Sequence, residues 1–207
     1  MARIALALLH LFLLTVVLSS APSDPAAAPL DPVAAPGQWM PPTDEEEALI
    51  VESLALLEAG GLRLLAAPVV SFHTELDECL GNLAYWRVED GIDRVWVCWT
   101  HEDSGVQRIV QTQALVHELA HAWVHANTSD ADRQAFMEIA GSVSWNGASD
   151  AWNDRGVEQA ADLITWGVLD PGVLFVDFEG SSCTRWADAY EALTGQSAPT
   201  TIVGDCP

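Results

Sequence analysis

Two histidines and a glutamate lie inside a strongly apolar helical stretch, and that placement constrains the fold more than any other feature of the sequence. Over residues 107–126 the apolar side chains Ile109, Leu115, Val116, Leu119, Ala120 and Trp123 recur at helical spacing. His117, Glu118 and His121 are set among them as His-Glu-Leu-Ala-His. A helix apolar on so much of its circumference is buried, and buried imidazoles and carboxylates need partners. Helical positions four apart differ by ~40° of rotation and about 6 Å of rise. His117 and His121 can therefore grip one metal ion from the same face. Glu118 sits ~100° round from His117 and ~60° from His121, so it can reach a water on that metal without ligating the metal itself. Some other part of the chain must bring a third ligand to this helix.

The pattern HExxHxxGxxH would supply that ligand nearby, but its positions hold Val124 and Asn127 here. A carboxylate from a later helix is the alternative, and Glu158-Gln159-Ala160-Ala161-Asp162 fits. Glu158 and Asp162 are one turn apart on one helix face. With Glu158 on the metal, Asp162 can accept a hydrogen bond from the free ring nitrogen of His117, which fixes its tautomer.

His117 to His121 followed by Glu158 and Asp162 resembles the gluzincin metallopeptidases, zincins whose third ligand is a glutamate on the next major helix. The likeness covers residues 107–168, roughly the central third. It implies a zinc-dependent peptidase with one zinc ion on His117, His121 and Glu158, with Glu118 as general base and Asp162 as the orienting carboxylate. The hairpin before the active helix is similar to the zincin arrangement, in which an edge strand binds an extended peptide by β-addition. The expectation is a minimal, single-subdomain zincin. Zincins often stabilise the oxyanion with a Tyr or His. Tyr190 is the candidate taken forward, against core packing, which Tyr more often provides. Tyr85, His73, His101 and His125 are the other residues of those types. His125, one turn further along the active helix, is either a fourth ligand that closes the site or a surface histidine favoured by the helix C-terminus.

Charge narrows the partners. The chain carries 30 acidic residues against 8 basic ones, all arginine, for a net charge of −22. So few cations exclude a nucleic-acid binder, and an anionic membrane surface would repel the chain. The negative field predicts a preference for cationic peptide or protein substrates. Met1-Ala2-Arg3 and the apolar run that follows read as a signal peptide over 1–21, too short to span a bilayer. Residues 22–42 are Ala- and Pro-rich and read as an extended tail. The domain is then 43–207, a secreted monomer without membrane attachment after cleavage. Cys79, Cys98, Cys183 and Cys206 allow three connectivities. Nearest-neighbour pairing, Cys79–Cys98 and Cys183–Cys206, closes two loops of about 20 residues, each worth roughly 3 kcal/mol.

The remaining pattern is α+β, with strands first and helices after. Thr43 and Glu46 form a capping box for a helix that Gly60-Gly61 ends. Residues 68–73 read as a strand, and 83–88 and 93–99 as a hairpin around a turn over 89–92. Helices follow the active one over about 129–141, 154–166 and 182–193. The expected fold is zincin-like: a small N-terminal sheet with a hairpin, then the active-site helix and further helices. The rival to a hydrolase is a non-catalytic secreted binding module whose metal is a strut. A fourth protein ligand in place of water would select it.

Overall fold

In the computed structural model, residues 42–73, 79–98, 105–169, 183–200 and 202 are described, all within the compact unit Gly37–Pro207. The expected signal segment, the tail up to residue 41, Trp99, His101 and Cys206 lie outside them. The described chain is α+β, with five α-helices and a three-stranded mixed sheet. Among these residues no helix is long and apolar enough to cross a membrane.

Helix α1, Asp44–Ala59, starts on the expected capping box: the Thr43 hydroxyl accepts from the Glu46 N–H, and the Glu46 carboxylate accepts from the Thr43 N–H. It buries one stripe, Leu49, Ser53 and Leu57. Strand β1, Val69–His73, is an edge strand running parallel to the central strand β3, Ile92–Cys98. Strand β2, Ala84–Glu89, pairs antiparallel with β3 and forms the other edge. The β2–β3 turn is shorter than the sequence suggested. Asp90 (φ 52°) and Gly91 (φ 76°) both take the left-handed conformation, the two-residue turn whose twist matches a hairpin.

The hairpin register decides which main-chain groups of β2 are free. Cys98 N–H donates to Leu83 O at 2.8 Å, and bonded pairs alternate along an antiparallel ladder. Ala84, Trp86 and Val88 therefore turn their N–H and C=O groups away from β3, toward the open edge.

Helix α2, Gly105–Asn127, passes through the core. Leu115, Val116, Leu119, Ala120, Ala122, Trp123 and Val124 are all buried. The inner face of the sheet, with Val95 and Val97, covers one side, and α1 and α4 pack on others. Helix α3, Asp130–Ala140, opens on a second capping box, Ser129 with Asp132, and ends at Gly141 in the left-handed conformation. Arg133 of α3 donates to the carbonyls of Val124, His125 and Thr128, adding donors to carbonyl groups at and just past the end of α2. A single 3-10 turn, Trp152–Asp154, precedes α4, Gly156–Val168, so α4 starts two residues later than expected. Helix α5, Cys183–Thr194, closes the described order. A Cβ placed on Gly167 would lie 2.9 Å from Tyr190 Cε2, so glycine there allows the ends of α4 and α5 to meet closely.

The outer face of the sheet has its own small cluster of Cys79, Trp96 and Cys98 with Tyr85 against it. The expected Cys79–Cys98 disulfide is formed across a Cα separation of 5.9 Å. Its proposed counterpart falls on Cys206, outside the described residues.

Candidate metal centre

Helices α2 and α4 pack directly on each other, and their facing sides carry the groups singled out in the sequence. His117 and His121, one turn apart on α2, direct Nε2 atoms that lie 3.1 Å apart. Glu158, in the first turn of α4, brings Oε2 to 3.3 Å from His117 Nε2 and 3.1 Å from His121 Nε2. Three donor atoms thus form a nearly equilateral triangle. Hydrogen bonding alone does not account for it, because each Nε2 carries either one proton or one lone pair. A positive charge at the centre does. Bonds of 2.0–2.1 Å at tetrahedral angles put donor atoms about 3.3 Å apart, close to the separations observed. The triad of two nitrogens and one carboxylate oxygen could hold a metal ion.

Around the triangle, His117 Nδ1–H donates to Asp162 Oδ1 at 2.8 Å. That bond leaves the Nε2 lone pair facing the centre. Burial opposes charge on His117, but hydrogen bonds to Asp162 and Glu158 and the nearby Glu118 carboxylate raise its pKa well above the usual imidazole value. Burial likewise opposes charge on Glu158, yet the two histidines bring its pKa down to about 2. Both shifts follow from the close approach of imidazoles and carboxylates, which favours the charged form of each.

Glu118 is 7% exposed and stands in the field of both imidazoles. Burial raises its pKa, partly offset by His117 and His121, while Glu158 adds to the rise. The backbone of Trp86, on β2, also lowers it.

His125 does not join the cluster. Its Nδ1 lies 3.1 Å from Asp93 Oδ1 on β3, and its side chain is 45% exposed. Among the described residues the ligand-forming group comprises His117, His121 and Glu158, with no fourth protein donor. His73 lies on β1 with its Nε2 3.0 Å from Ser71 Oγ, and Tyr85 stacks on Trp96 at 4.6 Å on the outer sheet face.

Tyr190 is where the oxyanion expectation fails. It is fully buried in the core, against Gly167 near the far end of α4 from Glu158. Its hydroxyl has no hydrogen-bond partner among the described residues, and burial pushes its pKa up to about 12. The ring fills the space where α4 and α5 meet.

Sequence reasoning missed Trp86 and Asp93. Trp86 Nε1–H donates to Asp93 Oδ1 at 2.8 Å, and the Trp86 ring lies over His121. Only the alternation of the hairpin hinted at them, because it puts both residues on the sheet face that meets α2. Compared with protein-family models, with curated proteins and with solved structures, the chain matches none.

Proposed function

We propose that the protein is a zinc-dependent peptidase of zincin type. The observation that carries this reading is the donor triangle with Glu118 beside it and, among the described residues, no fourth protein ligand upon it. A nitrogen, nitrogen, oxygen set of this size suits zinc, and a site with three protein ligands leaves a position for water or substrate. His125 would have closed the site as a strut, but it is engaged with Asp93.

Zinc held by the triad would acidify a water and polarise a carbonyl. The remaining work falls to the chain. Asp162 holds His117 in the tautomer that offers Nε2. Glu118, with its proton affinity raised by burial, would accept a proton from a water beside it and hand that proton to a departing amine. Among the described residues no strand covers the outer edge of β2, which offers the main-chain groups of Ala84, Trp86 and Val88. An extended peptide adding there would lie along the strand whose Trp86 stacks on His121. The net charge of −22 supports a preference for cationic substrates. Export and a monomeric state belong to the same reading, and the Cys79–Cys98 disulfide supports an oxidising compartment.

The test is metal content and proteolysis of a fluorescently labelled unstructured protein, measured on wild type, Glu118→Gln and Glu158→Ala. Wild type should bind one zinc ion and cleave the substrate. Glu118→Gln should keep the zinc and lose turnover by about 100-fold or more. Glu158→Ala should lose most of the zinc. Full zinc occupancy with no hydrolysis in wild type would favour a binding module, and no zinc in wild type would refute the metal centre itself.

A further inference from the structure

The two imidazoles of the triad are held in different ways. His117 has Asp162 on its outer nitrogen. His121 has no such partner: its Nδ1 is buried and makes no hydrogen bond among the described residues. What lies against its ring is Trp86, with 18° between the planes and 5.6 Å between centroids. An offset-stacked contact of this kind fixes the plane of a ring without using its nitrogens.

Trp86 is itself braced. Its indole N–H is bound by Asp93, and the same carboxylate oxygen lies 3.1 Å from His125 Nδ1. The His125 ring leans on the indole at 5.5 Å and 53°. One residue of the edge strand therefore lies against a metal ligand and is itself held by a carboxylate and a third histidine.

Resting on the metal-centre reading above, we propose that Trp86 is a positioning residue. Its indole, clamped by Asp93 and His125, sets the plane of His121. His121 is oriented by stacking where His117 is oriented by a carboxylate. A tryptophan that served only to fill space would alter stability and leave metal affinity alone.

The experiment measures zinc affinity of the chelator-stripped protein by competition with a chromophoric chelator, and records the visible spectrum of the cobalt-loaded protein. Trp86→Leu removes the ring face, Trp86→Phe keeps a face but loses the clamp, and Asp93→Ala releases the clamp alone. Trp96→Leu, on the opposite face of the same sheet, is the control for general destabilisation. Loss of outer contacts to metal ligands typically weakens binding by about 10–100-fold. Trp86→Leu should fall in that range with an altered cobalt spectrum. Trp86→Phe and Asp93→Ala should fall less, and Trp96→Leu should bind zinc like wild type. The proposal is overturned if folded Trp86→Leu binds zinc within twofold of wild type, or if Trp96→Leu weakens binding equally. Should Trp86→Leu not fold, wild-type affinity in both Trp86→Phe and Asp93→Ala would overturn it instead. A wild type that binds no zinc removes the metal centre and this role together. A wild type that binds zinc while the variants match it removes this role only.

Discussion

Replacing Glu158 with glutamine in metal-free protein should unmask the energy stored in the triangle. Glu158 is 6% exposed. Burial alone would raise its pKa, yet the histidines beside it lower it from 4.5 to about 2. One pH unit of displacement corresponds to about 1.36 kcal/mol, so the carboxylate contributes roughly 3 kcal/mol to folding. Because the folded value is depressed, that contribution is present above about pH 4.5 and is lost as pH falls toward about 2. His117 acts with the opposite sign. Its folded value is raised, so its contribution is complete below the unfolded value near 6.5 and is lost as pH climbs through the folded one. Metal-free wild type should therefore have both contributions between about pH 4.5 and 6.5. Urea unfolding in chelator, followed by tryptophan fluorescence, should show Glu158→Gln weaker by about 3 kcal/mol at pH 5.5, equivalent to roughly 6–12 °C in melting temperature. The gap should close near pH 2. Added zinc should reverse the trend for wild type, since proton and metal compete for His117 and zinc gains as pH rises. A gap under about 1 kcal/mol at pH 5.5, or one that persists unchanged at pH 2, would refute the account of the triangle as a cation cradle.

Asp162→Ala should weaken zinc binding by about 10–100-fold while leaving the fold intact, as measured by chelator competition and circular dichroism. Replacing Cys79 and Cys98 together with alanine opens a loop with a sequence separation of 19 and should cost about 3 kcal/mol in denaturant unfolding. Tyr190→Phe removes a buried hydroxyl without a described partner. Thermal unfolding should show equal or higher stability, by up to about 1 kcal/mol, and turnover should be unchanged.

What could be read from the sequence was what is local. The capping boxes at Thr43 and Ser129 announce helix starts within four residues, and both are formed. The spacing of His117, Glu118 and His121 fixes their angular relation on any helix, and Glu158 and Asp162 share a face for the same reason. Their meeting needed α2 and α4 to pack together, which the burial of both helices made the economical solution. The illegible part is what no spacing encodes. Trp86 stacks on His121 because β2 crosses beside α2, and Asp93 holds Trp86 because a two-residue turn sets the register of the hairpin. His125 turned away from the metal position because a carboxylate from another strand met it first. Tyr190 looked available because a phenol says nothing about which side of a helix it faces, and the answer was the core.

Between the two carboxylates of α4 lie Gln159, Ala160 and Ala161, and of these Ala161, fully buried in the core, sits about 60° round the helix from Glu158. A side chain this small on that side of α4 lets a neighbouring helix lie close, and the reach of Glu158 toward α2 depends on that spacing. The ligand set thus works as a caliper across the helix pair. A wedge the size of a valine, inserted far from any imidazole, could open the jaws and silence the centre while every residue that touches the ion stayed in place.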